Sequence, residues 1–162
     1  MSLSKYLAFL MIPLVLTGCG KSTEGITVSD AYIRGLPPGQ SVTAAFMTFN
    51  NALAQDCQLV GAASPIASSA EIHVHSHHNG AMSMRPVDVV KIPAGESLSF
   101  EPGGYHLMLF GLKEGLKEGD EHTMSLFFEG EGCGELKEKL NDELQGELKI
   151  VAPVQNVLNE KG

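Results

Sequence analysis

Residues 69–90 read SAEIHVHSHHNGAMSMRPVDVV. From Ser69 to His75 apolar and polar side chains alternate, with Ala70, Ile72 and Val74 on one face and Glu71, His73 and His75 on the other. That period of two is the mark of a half-buried β-strand. Ser76 to Gly80 then reads as a polar loop carrying His77 and His78, and Ala81 to Val90 as a returning strand that holds Met82 and Met84. An antiparallel hairpin of this kind brings His73 near the start of the returning strand, opposite Met84 or diagonal to it according to register.

The same alternation recurs on both sides of the hairpin. Strands are expected over Ile26–Ile33, Ser41–Asn50 and Cys57–Ala63 before it, and over Ser97–Phe100, Tyr105–Phe110, His122–Glu129 and Glu147–Val154 after it. Turns fall where Gly and Pro cluster, at Gly35–Gly39, Pro93–Gly95 and Pro102–Gly104. Between Gly130 and Gly146 the character changes. Leu136, Leu140 and Leu144 in ELKEKLNDEL carry helical spacing, so residues 135–144 read as a short amphipathic helix or a charged excursion within a late insertion. Short strands with Gly/Pro turns and at most one helix make an all-β protein, an antiparallel sandwich or barrel.

Chemically capable residues concentrate between His73 and Met108. His73 is followed after ten residues by Met84, after twenty-one more by His106, and after one more by Met108. In YHLMLF, residues 105–110, alternation places His106, Met108 and Phe110 on one face, so that two long side chains can converge on one ion. Two imidazoles and two thioethers form a soft set suited to copper in its reduced state. His75, His77 and His78 read either as a second position favouring Cu(II) or as a solvated loop. His122 and Met124 repeat the spacing one strand later and read as a surface histidine and a core methionine; Met47 and Met82 are read as packing, and Tyr105 and Phe110 as walls of the site.

With 162 residues the chain holds one domain with a real core. A net charge of -8 argues against a nucleic-acid partner, because an acidic surface does not displace counterions from phosphates. Residues 1–18 read as a signal peptide: Lys5, then an apolar run from Leu7 to Leu16 that is too short to span a bilayer. Leu16-Thr17-Gly18-Cys19 resembles the bacterial lipobox, which implies cleavage before Cys19, its lipidation, and residues 19–25 as a tether; an ordinary secretory signal is the rival reading. Gly20 after Cys19 resembles an outer-membrane address. The product is then exported and lipid-anchored at the periplasmic face of a bacterial membrane, its domain spanning residues 26–154 with a tail over 155–162. In that oxidising compartment Cys57 and Cys133 are expected either to form a disulfide, worth roughly 4 to 5 kcal/mol in the chain-entropy model, or to leave one thiolate for copper.

Taken together, H-x10-M-x21-H-x-M, VSDAYIR, AAFMTFNN, LVGAASP, MRPVDVVKIPAGESLSFEPGGYHLMLFGLKEGLKEGD and the final APV resemble the periplasmic copper chaperones called PCu(A)C, over roughly Val28 to Glu129 and the closing strand. The resemblance implies a cupredoxin-like Greek-key β-sandwich or barrel that binds Cu(I) near its surface through His73, Met84, His106 and Met108. It implies delivery toward the CuA centre in subunit II of cytochrome c oxidase, with Sco-type proteins as partners, and no catalytic turnover. The extra histidines and the Gly130–Gly146 segment depart from the family pattern. Three rivals remain. Envelope copper storage differs from delivery only by its partner; a blue-copper electron carrier needs a cysteine ligand, and none lies between His73 and Met108. A metal enzyme needs an open position and a poised acid or base, for which Glu71 is the one carboxylate beside the first cluster.

Overall fold

The computed structural model of the protein describes residues 25–37, 39–78, 81–133, 135–136 and 146–156, and at 77, 78, 81, 82, 135 and 136 the backbone alone. The signal peptide, Cys19, most of the tether, the Asn79–Gly80 tip, residues 137–144 of the expected helix and the end of the tail therefore lie outside the described residues.

The described chain is built from strands: β1 (Ile26–Arg34), β2 (Val42–Asn51), β3 (Cys57–Ala63), β4 (Ser69–His78), β5 (Ala81–Pro86), β6 (Val90–Ile92), β7 (Ser97–Phe100), β8 (Tyr105–Phe110), β9 (Glu121–Glu129), β10 (Glu135–Leu136) and β11 (Gly146–Gln155). All eleven belong to one hydrogen-bonded sheet, in the order β5-β4-β8-β7-β2-β1-β11-β9-β3-β6, with β10 beside β11. The pairing of Ala62 in β3 with Ala70 in β4 joins the two ends and closes a barrel of eight strands, leaving β5 and β6 as flaps on its rim. Closure removes the open edges that a flat sheet would expose. Most pairs are antiparallel; β1 with β11 and β7 with β8 run parallel.

Three expectations from the sequence change here. The strand expected over Ala81–Val90 is two strands. Pro86 has no N–H to offer the ladder and ends β5, and after Val87 N donates to Ile72 O at 2.9 Å the chain leaves β4. Val90 and Ile92 then bury their side chains in the core on β6, which pairs with β3. The loop expected from Ser76 begins later, because Ser76 and Ser83 pair across the hairpin with hydroxyl oxygens 2.8 Å apart. At the start of the late insertion, Glu135 and Leu136 are in a strand against β11 and not in a helix.

The barrel is filled by the inward faces of these strands, with Phe49, Phe128, Ile33, Met47, Leu59, Leu107, Leu109, Met124, Leu126 and Val154 all fully buried. Phe49 sits at the centre, edge-on to Phe100 at 4.9 Å and to Phe128 at 6.1 Å between ring centres, the T-shaped arrangement that aromatic quadrupoles favour. Met47 and Met124 are core side chains, as the sequence reading had them. Cys57 is bonded to Cys133, with Cα atoms 5.7 Å apart and a sequence separation of 76. The bond holds the Gly130–Cys133 turn on the start of β3. Gly130 has φ +120°, and a Cβ there would lie 2.8 Å from Cys133 Sγ, so the turn needs glycine on both counts.

Candidate metal centre

Strand β4 lies between β5 and β8, and that order assembles the site. Across β4 and β8, His73 is directly opposite His106 and Glu71 opposite Met108. Across β4 and β5, Met84 is opposite His75, while His73 faces Pro86. Met84 is thus diagonal to His73, the answer to the register that the sequence left open. Because directly opposed residues share a face of the sheet, Glu71, His73, His75, Met84, His106 and Met108 all stand on the outer face. Leu107 and Leu109 of β8 and Ile72 of β4 point the other way, into the core.

The floor beside this cluster is aromatic. On β2, Ala44 is opposite Met108, and Phe46 on the same face lies 6.2 Å from the His106 ring. Tyr32 and the Arg34 guanidinium cover Phe46 in turn, each 5.1 Å from its ring centre. This cover explains why β2 is buried on both faces from Thr43 to Met47. A groove of about 420 Å³ opens here, with His75, Met84, His106 and Met108 along one side and the Arg34–Pro37 segment along the other. None of the described residues that line it is acidic, although the chain carries a net charge of -8.

Hydrogen bonds assign the free nitrogen of two rings. The carbonyl oxygen of Gly104 can only accept, so His106 Nδ1–H donates to it at 3.1 Å, and the lone pair falls on Nε2. Burial holds the His106 imidazole below its ordinary pKa, against the raising effect of the Gly104 hydrogen bond and with the charges of His75, His73 and Arg34 in the same direction. The ring is therefore neutral at pH 7, and its Nε2 faces Met84 Sδ at 3.0 Å. In His73, Nε2 is 2.9 Å from Glu71 Oε2; a carboxylate accepts, so Nε2–H is the donor, and in the neutral tautomer this fixes, the lone pair is on Nδ1. His73 Nδ1 is buried and has no hydrogen-bond partner, as is His75 Nδ1. Buried polar atoms are nearly always satisfied, so two imidazole nitrogens without a partner in one cluster fit a cation-binding role.

The donors are not equally placed. His106 is 2% and His73 8% exposed, whereas Met84 is 46% exposed. His73 lies behind the groove, its ring 6.0 Å from both His106 and Phe110, and does not line the wall that Met84, His106 and Met108 form. Among the described residues no three of His, Cys, Asp or Glu converge to hold an ion by themselves, so the thioethers are needed to complete a set. Imidazole nitrogen with thioether sulfur suits copper, and the thioethers favour Cu(I).

Glu71, which the sequence marks only as the one carboxylate beside the first cluster, is the partner of His73; their i, i+2 spacing on one strand face is the signal for it. Arg34 and Phe46 had no such signal, since only the β2–β8 pairing carries them to the site. His75, grouped by sequence with His77 and His78, has its ring stacked on His106 at 4.9 Å. For His77 and His78 the backbone pairs with Met82 and Ala81 on β5. Tyr105 stacks on Phe100 at 5.6 Å, a packing role, while Phe110 stands against His73.

Residues 26–138 match the family model described as "Putative lipoprotein LpqE-like". The chain is 37% identical to the protein of Leifsonia xyli subsp. xyli described as "Putative lipoprotein Lxx21020", over 72% of this chain and 76% of that one. Among solved structures it resembles the copper-bound PCuAC domain from PmoF2, with a TM-score of 0.62 at 21% identity, covering 81% of this chain and 92% of that chain. It also resembles the Cu(I) form of DR1885 from Deinococcus radiodurans, with a TM-score of 0.56 at 33% identity, covering 79% of this chain and 76% of that chain. The closed all-β barrel is the cupredoxin-like fold of these domains. By sequence and by fold, the chain belongs to the LpqE-like lipoprotein family of PCuAC domains.

Proposed function

We propose that the protein is a copper chaperone that binds one Cu(I) through His73, Met84, His106 and Met108 and carries it on a lipid anchor outside the cytosol. One observation carries this reading: His106 Nε2, its lone pair freed by the Nδ1–Gly104 hydrogen bond, faces Met84 Sδ at 3.0 Å in a groove that Met108 also lines. The His73 Nδ1 atom, buried without a partner, supplies the fourth donor by a small movement toward the groove. Thioethers hold Cu(I) without forming a disulfide, and the half-exposed Met84 gives an acceptor access to the ion. A carrier has to release what it binds.

The remaining parts of the reading are of the same kind. Residues 1–18 are the signal, Cys19 the lipidated residue, and the anchor places the domain at the periplasmic face, in the outer membrane where sorting follows Gly20. The acceptor is the CuA centre in subunit II of cytochrome c oxidase, with a Sco-type protein as partner. Of His75, His77 and His78, the three histidines that the sequence offers either as a second, Cu(II)-favouring position or as a solvated loop, His77 and His78 stand on the β4–β5 hairpin and His75 lines the groove. Envelope storage differs only in lacking an acceptor. The electron-carrier reading is weakened by the Cys57–Cys133 bond, which leaves neither sulfur as a thiolate, and the enzyme reading by Glu71, whose carboxylate is engaged with His73.

Anaerobic Cu(I) titration against a competing chelator tests the assignment, comparing wild type with Met84→Ala, Met108→Ala and the double variant. One Cu(I) per chain is expected in wild type, with affinity falling in each single variant. Unchanged affinity after both methionines are removed would sink it. Transfer to an isolated oxidase CuA domain then separates delivery from storage.

A further inference from the structure

We propose that His75 is a fifth donor of the same centre, and that it allows the site to hold Cu(II) on three imidazoles where it holds Cu(I) with the help of two thioethers. The inference rests on the copper reading above and concerns this chain's own histidine, which the four-residue set does not include. Three separate observations carry it. The register sets His75 directly opposite Met84 on the face that bears His73. Its ring is nearer to His106, at 4.9 Å, than the His73 ring is, at 6.0 Å. Its Nδ1 is buried and without a hydrogen-bond partner.

The distances suit a shared ion. Imidazoles on one tetrahedral metal, with N–metal bonds of about 2.0 to 2.1 Å, stand roughly 5 Å apart between ring centres. In their present orientation the His75 and His106 planes lie 30° apart, stacked, and among the described residues no three of His, Cys, Asp or Glu close on a point. Turning His75 off the stack closes the set, and it has room to turn because it lines the groove of about 420 Å³. Cu(II) prefers nitrogen and oxygen in tetragonal arrangements and Cu(I) accepts thioether sulfur. Three imidazoles and two thioethers on one face therefore offer each oxidation state a preferred subset, with His73 and His106 common to both.

Cu(II) is titrated into the whole mature chain as a glycine complex, followed by electron paramagnetic resonance and by competition, and Cu(I) affinity is measured in parallel anaerobically. The variants are His75→Ala, His75→Gln and His77→Ala/His78→Ala, each checked for native circular dichroism. Wild type is expected to take one Cu(II) with a nitrogen-rich spectrum. Both His75 variants should lose more Cu(II) affinity than the roughly 10- to 100-fold that removal of an outer-shell partner gives, with fewer coupled nitrogens. Their Cu(I) affinity should change by less than about tenfold. The His77/His78 variant should retain the wild-type spectrum of this site. The proposal is overturned if His75 variants keep the wild-type Cu(II) spectrum, if they lose Cu(I) as severely as Cu(II), or if wild type binds Cu(I) and no Cu(II). Failure of the underlying copper reading looks different: wild type would then bind neither ion.

Discussion

Removing the bond between Cys57 and Cys133 tests how much of the barrel's stability comes from a restrained unfolded state. The bond closes a loop of 76 residues' separation. The chain-entropy relation then gives about 4.5 kcal/mol at 25 °C, a large share of the 5 to 15 kcal/mol that a domain typically has. For a domain of this size that corresponds to a fall in midpoint temperature of about 15 °C. Two perturbations separate the cross-link from its packing. The Cys57→Ala/Cys133→Ala variant also removes sulfur atoms that are 0% and 1% exposed, whereas the reduced wild type keeps them. Urea unfolding of both should show losses of about 4 to 5 kcal/mol in the reduced protein and somewhat more in the variant, which adds a cavity cost. A loss below about 1 kcal/mol in the reduced protein would refute the reasoning, by showing that the loop is already restrained when unfolded. The folded variant should still bind one Cu(I), since neither sulfur lines the groove; loss of that binding with native circular dichroism retained would refute the placement of the thiols outside the centre.

Three shorter predictions follow from the same geometry. Glu71→Gln weakens the hold on His73 Nε2–H and should lower Cu(I) affinity by about 10- to 100-fold in chelator competition, while an unchanged value would mean that Glu71 does not orient the ring. Met84→Leu should change unfolding stability by no more than about 0.5 kcal/mol, because the side chain is 46% exposed, yet lower Cu(I) affinity; a large stability loss would make Met84 a packing residue. Asp56, whose carboxylate accepts from Lys91 Nζ at 2.5 Å and from Ala94 N at 2.9 Å, has its pKa held below the ordinary carboxylate value by the Lys91 hydrogen bond first and the Ala94 one second. Its folded-state pKa being depressed, the stability it contributes is present above the unfolded value and is lost as pH falls through the folded one. Asp56→Asn should therefore flatten the acid limb of a stability–pH curve below about pH 4, and an unaltered limb would refute the assignment.

Much of this protein is written locally. Alternation by two placed most of the strands, and Gly/Pro clusters placed the turns, because both depend on near neighbours in the chain. Local signals misjudged the exit of β5, where Pro86 ends a run whose hydropathy continues, and the first two residues of the late segment, Glu135 and Leu136, which pair with β11. The types and spacing of His73, Met84, His106 and Met108 were enough to name a soft donor set. Which of those donors meet was a different matter. It depended on β4 lying between its hairpin partner β5 and the later strand β8, and on a two-residue register choice that decides which same-face residues oppose one another. That pairing put Met84 against His75 and His106 instead of opposite His73, drew Arg34 and Phe46 under the site, and gave Glu71 a partner. Sequence alone determined the β-strand character and the chemistry of the donors, since both are carried by residue type and period. Tertiary structure alone decided the distances, the hydrogen-bond partners of the rings and the place of His75 against His106, because those follow from strand pairing, which no stretch of the chain encodes by itself.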